Sequence, residues 1–110
     1  MADVTLVAKG YPEASGTKTL TGTTAQSVAI TGASGAQLRL REWVVEIVNR
    51  SSTVRLGFTA SGTTATASNS ITVFPNSTVA FPTSYLPAVD DVISVVGNGN
   101  EFEVNLIPVI

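Results

Sequence analysis

Residues 43–59 read Trp43-Val44-Val45-Glu46-Ile47-Val48-Asn49-Arg50-Ser51-Ser52-Thr53-Val54-Arg55-Leu56-Gly57-Phe58-Thr59. On each side of the polar break at Asn49–Ser52, apolar residues recur at every second position. Trp43, Val45 and Ile47 share one parity, and Val54, Leu56 and Phe58 share another. Successive side chains of a strand point to opposite faces, so this spacing buries one face and leaves Arg55, Gly57 and Thr59 on the other. A helix would need apolar residues three and four apart between recognisable caps, and no stretch of the chain has that form.

The same period of two extends outward in both directions. Phe102, Val104 and Leu106 oppose Glu101, Glu103 and Asn105; Val4 with Leu6 and Val28 with Ile30 repeat the arrangement. β-branched residues dominate these runs, as strands favour. Turn sequences separate them: Gly10-Tyr11-Pro12, Ser15-Gly16, residues 31–35, Asn49–Ser52, Pro75-Asn76 and Gly97-Asn98-Gly99-Asn100. Short strands between frequent turns predict an all-β chain, a single antiparallel β-sandwich of about seven or eight strands, jelly-roll or immunoglobulin-like. One domain spans residues 1–110, with 1–11 as an N-terminal arm.

Finer expectations follow from local chemistry. Asn98-Gly99 suits the positive φ of a tight turn, which predicts that Asp91–Val96 and Glu101–Ile107 pair as an antiparallel hairpin. Leu38 and Leu40 have the opposite parity to Trp43, Val45 and Ile47. A β-bulge near Arg41-Glu42 restores all five to the core, and burial of both strand faces is the alternative. The segment Ala60–Ser70 lacks apolar anchors, so it is either a mobile loop or a Thr-rich edge ordered by a neighbour. Prolines after Phe74, Phe81 and Leu86 set extended strand ends and blunt edges.

Composition excludes much chemistry. There is no Cys and no His, and charged residues make up 13% of the chain, against about 25% in typical domains. Ser and Thr together number 26 and supply the polar surface. So little charge on a chain that is 44% hydrophobic predicts that other polypeptide covers part of it. The net charge is −2 and the six cations are scattered, so no basic stripe exists for nucleic acid. The start of the chain lacks the basic and apolar regions of a secretory signal. No apolar run approaches the ~20 residues of a membrane span. Asn49-Arg50-Ser51 and Asn76-Ser77-Thr78 match a glycosylation pattern and are read as turns.

Motifs that mimic active sites resolve into structure. Thr31-Gly32-Ala33-Ser34-Gly35 resembles a nucleotide-binding turn, but its last glycine is missing and an alternating strand follows instead of a helix. Glu101 and Glu103 share a solvated strand face. Asp90-Asp91 suits a turn and lacks the 6–8 oxygen ligands that Ca²⁺ takes. No catalytic residue, metal site or cofactor is expected, and the chain is read as a non-enzyme. Among the sparse aromatics, Trp43 belongs to the most apolar strand and is read as core, while Tyr11 and Tyr85 lie in proline-bearing loops.

From Trp43 onward the placement of strands and turns resembles small β-sandwich proteins of phage and prophage structural modules, of the capsid decoration (cement) type. The resembling features are Val44–Asn49, Val54–Phe58, the Ser/Thr/Gly loop, Pro75–Val79 and the Val92–Val96 and Phe102–Leu106 strands. The resemblance implies a structural virion protein on the capsid surface, made in the host cytoplasm. It implies a homotrimer or other ring that binds the major capsid protein and stabilises contacts between its subunits, with no nucleic acid or membrane partner. The expected contacts are Tyr11, Pro12, Tyr85, Ile107, Val109 and Ile110. The charge-free C-terminal stretch Leu106–Ile110 is expected to be buried at an interface or against the sandwich. The alternatives are a tail or baseplate accessory subunit and a small carbohydrate-binding module.

Overall fold

The computed structural model describes residues 5–7, 9–10, 16–29, 43–60, 63–82 and 92–108. Within them lie ten strands: β1 (Thr5–Val7), β2 (Lys9–Gly10), β3 (Lys18–Thr19), β4 (Gln26–Ala29), β5 (Trp43–Asn49), β6 (Leu56–Thr59), β7 (Ile71–Val73), β8 (Thr78–Pro82), β9 (Val92–Val96) and β10 (Glu101–Pro108). They form two sheets, β1-β4-β9-β6-β7 and β2-β10-β5-β8, with β3 pairing the same edge of β10 as β2. The fold is the expected all-β sandwich. Eight of its strands hold three or more residues. The pairs β4·β9, β5·β8 and β6·β7 nest like rungs of one folded hairpin, in the manner of a jelly roll.

Period-two burial builds the core. Val28, Ile93, Val95, Leu56, Phe58 and Val73 enter from the first sheet, and Val45, Ile47, Phe81, Phe102, Val104 and Leu106 from the second. Phe58 and Phe81 stack across the layers at 5.5 Å between centroids. Burying an aromatic or aliphatic side chain of this kind stabilises by about 1.5–3 kcal/mol. Leu20, ahead of β4, plugs the end of the sandwich.

Two expectations need correction. β9 and β10 do not form a hairpin: β9 pairs β4 and β6 in one sheet, and β10 pairs β5 in the other. Residues 97–100 are therefore a corner between layers. Its cause is Asn100, which is buried and turned inward. The Asn98 N–H donates to Asn100 Oδ1 at 2.8 Å, and Asn100 Nδ2 donates to Asn49 Oδ1 at 3.1 Å and to the Val54 carbonyl at 2.9 Å. Those bonds draw the chain from one sheet to the other. Gly97 permits the corner, since a Cβ there would stand 2.9 Å from Asn100 Cγ and 3.0 Å from Leu20 Cδ1. The sheets are also not purely antiparallel. β1 runs parallel to β4 in one sheet, and β2 runs parallel to β10 in the other. These stretches of the segment expected as an arm complete the chain's own sheets.

Asn49 is a fully buried hub, which rules out the glycan that its sequence pattern permits. Val54, expected within a strand, precedes β6 and offers its carbonyl to Asn49 and Asn100. Pro75-Asn76 forms the expected turn: Asn76 has φ +55°, and the Ser77 N–H donates to the Phe74 carbonyl at 3.1 Å. The bulge at Arg41-Glu42 lies outside the described residues.

Candidate functional site

The described part of the segment 60–70 is seated on the outer face of the first sheet. Ala65 is buried, and its N–H donates to Ser94 Oγ at 2.9 Å. Asn69 Oδ1 accepts the Thr66 N–H at 2.7 Å, while Asn69 Nδ2 donates to the Thr64 carbonyl at 3.1 Å. The loop thus satisfies its own backbone and is ordered by its own sheet. Ser70 rests above Gly57; a Cβ on Gly57 would lie 2.9 Å from that of Ser70.

Beside this contact runs a groove of about 500 Å³. Gly57, Val96 and Thr72 occupy one row of the sheet and line it, with Ala67 and Ser70 from the loop and Arg55 and Asn98 also on its wall. The Arg55 guanidinium lies over the Phe74 ring, 5.3 Å from its centroid, a cation–π arrangement. Among the described residues no carboxylate lines the groove. Phe74, just after β7, is 56% exposed, and Ile71, at the start of β7, is 61% exposed.

The outer face of the second sheet is a different surface. Cross-strand register aligns Ile107, Val44 and Pro82 in one row, then Asn105, Glu46 and Ala80, then Glu103, Val48 and Thr78. The first row is apolar across three strands, with Ile107 40% exposed and Val44 and Pro82 half-buried. The last holds Glu103, which pairs with Arg50. Burial alone would raise the Glu103 carboxyl, but hydrogen bonds from Arg50, Asn105 and Thr17 and the Arg50 charge outweigh it and hold its pKa below the usual glutamate range. The face therefore grades from apolar at one end to ion-paired at the other. Among the described residues no group of three Asp, Glu, His or Cys side chains is placed to hold a metal ion.

Of the six contacts expected from sequence, Ile107 lies on this apolar row. Tyr11, Pro12, Tyr85, Val109 and Ile110 lie outside the described residues. The C-terminal stretch divides: Leu106 is buried in the core while Ile107 turns outward. Sequence reasoning missed Ile71, Phe74 and Arg55. Ile71 has the parity of the buried Val73 and reads as core; only its place at the start of an edge strand leaves it exposed. Comparison of the chain with protein-family models, with curated proteins and with solved structures finds no match.

Proposed function

We propose that the chain is a structural virion protein of the capsid decoration type, which binds the outside of a phage head and stabilises contacts between major capsid subunits. The observation that carries this reading is the apolar row Ile107–Val44–Pro82 on the outer face of the sheet that holds the β5·β10 ladder, the longest among the described residues. Strand-borne side chains at fixed spacing form a rigid, flat patch that loses little conformational freedom on docking. Cementing requires buried area and no reaction, and repetition over many sites of a shell multiplies modest contacts. In this reading the copies form a trimer or other ring on the shell.

On this reading a major capsid protein is encoded by the same phage or prophage, and the test is co-sedimentation with shells assembled from it. Wild-type protein is expected to pellet with the shells, and Ile107→Glu to bind at least ten-fold more weakly while remaining folded. Wild-type protein that stays in the supernatant at every concentration would sink the proposal. A second reading, a small carbohydrate-binding module, is favoured by the groove beside Arg55, whose hydroxyl and amide side chains suit sugar hydroxyls. It requires saturable binding to a glycan panel that is lost on Arg55→Ala.

A further inference from the structure

Among the described residues the strands of the edge opposite the N-terminal strand carry no charge, and the nearest cation is Arg55, which lies over the Phe74 ring. β7 and β8 end their sheets on that side, joined by the four residues 74–77. Among the described residues nothing pairs with the outer edge of either. Natural edges are guarded by charge, above all Lys, by proline within the strand, or by a bulge. Residues 56–89 contain no Asp, Glu, Lys or Arg, so β6, β7, β8 and the turns between them are free of charge. β7 itself, Ile71-Thr72-Val73, is β-branched throughout and has no proline. Its flank carries Ile71 and Phe74, two of the three large hydrophobic side chains exposed among the described residues.

We propose that β7 is a strand-addition site for β7 of a second copy of this chain, paired antiparallel about a two-fold axis at Thr72. The occupant follows from the chemistry of the edge. Backbone N–H and C=O groups left unpaired along a sheet edge recognise an extended strand; the Val73 carbonyl already accepts from Asn49 Nδ2 within the chain. A two-fold sets each residue against its own equivalents, which a charged edge resists and an uncharged one accepts. Faces are preserved by such an axis, so Thr72 meets Thr72 and Ile71 meets Val73. Phe74 then covers Ser70 of the second copy, a residue small enough to lie beneath a ring. β8 is the poorer edge, because its exposed side chains are Thr78 and Ala80 and Pro82 closes it. This contact is separate from the apolar row of Ile107 and does not rest on the capsid reading.

Because the chain has no cysteine, Thr72→Cys places a single thiol in the molecule. Opposed Cβ atoms in an antiparallel pair lie about 4.5–5.5 Å apart, close enough for a disulfide after a small adjustment. Under mild oxidation without shells, T72C is expected to form covalent dimers at least ten-fold faster than T66C, whose thiol sits on the exposed loop. Adding Ile71→Lys is expected to abolish that excess; should that variant not fold, Phe74→Ser serves in its place. T72C that couples no faster than T66C, or an excess that survives both substitutions, would overturn the proposal. Shell binding is assayed separately through Ile107, so failure of either proposal leaves the other readable.

Discussion

Asn49 holds the corner network together, and its removal should be the most damaging single polar change among the described residues. Its Nδ2 donates to the carbonyls of Val54 at 2.9 Å and Val73 at 3.0 Å, and its Oδ1 accepts the Ser51 N–H and Asn100 Nδ2, each at 3.1 Å. In Asn49→Ala the Val54 carbonyl keeps Asn100 as a donor, but the Val73 carbonyl and the Ser51 N–H lose these partners. A buried group left unpaired costs about 1–3 kcal/mol, and Ser51 is only half-buried. The expected loss is therefore about 3 kcal/mol, a large part of a stability that typically totals about 5–15 kcal/mol. Asn49→Asp keeps the shape and reverses the polarity, setting a carboxylate oxygen against two carbonyl oxygens. Its folded pKa must rise above the unfolded value of about 3.9. The folded state then binds more protons between the two values, so stability is greatest below pH ~3.9 and falls as pH rises towards the folded pKa. Equilibrium urea unfolding followed by far-UV circular dichroism measures both variants. An N49A loss under about 1 kcal/mol, or an N49D curve parallel to wild type across pH, would refute the reasoning.

Gly57→Ala should destabilise by about 1–3 kcal/mol, because the new Cβ meets Ser70 and forces the loop upward. Adding Ser70→Gly should recover most of that loss in thermal melts; G57A with the wild-type midpoint would show that the loop does not press on the sheet. The Arg50–Glu103 pair should contribute only about 0.5 kcal/mol, since Arg50 is 53% exposed. A depressed glutamate pKa gives stability that is present above about pH 4.3 and lost as pH falls through the folded value. Arg50→Gln should thus differ from wild type at pH 7 and converge with it at pH 2; a gap that persists in acid would disprove the pairing.

The sandwich was legible because burial on one face of a strand leaves a direct mark of period two. Phe102, Val104 and Leu106, Leu56 with Phe58, and Val45 with Ile47 all turn inward as that mark requires. Which strands become neighbours leaves no such mark. Ile93 and Val95 would alternate identically in a hairpin with β10 or in the opposite layer, and Asn98-Gly99 supplies a turn to either. The decision falls to Asn100, whose burial depends on Asn49, far away in sequence. A lone asparagine beside glycines reads as turn chemistry, so its inward role is invisible until its partners are placed. The contact surfaces were harder still. Ile107 stood out because an apolar stretch without charge is unusual, and the structure leaves it exposed, whereas Ile71 is hidden by a parity that promises burial.

The distribution of charge also separates the two surfaces by kind. On the second sheet, carboxylates interrupt the apolar positions at Glu46, Glu101 and Glu103, so only one end of that face is dry enough to dock. In the proposed docking, a partner there would match a gradient, apolar at Ile107 and polar towards Arg50, which would fix its orientation as well as its affinity. The β7 edge carries no such gradient. Its specificity rests on strand register alone, and register is weakly specified where neither face offers charge or large core residues to count against. The exposed pair Ile71 and Phe74 brackets Thr72 and supplies that count: a slip by two residues would leave one of the two apolar contacts unmatched. A surface that selects by register suits repeated pairing of identical chains, whereas a surface that selects by gradient suits a different partner.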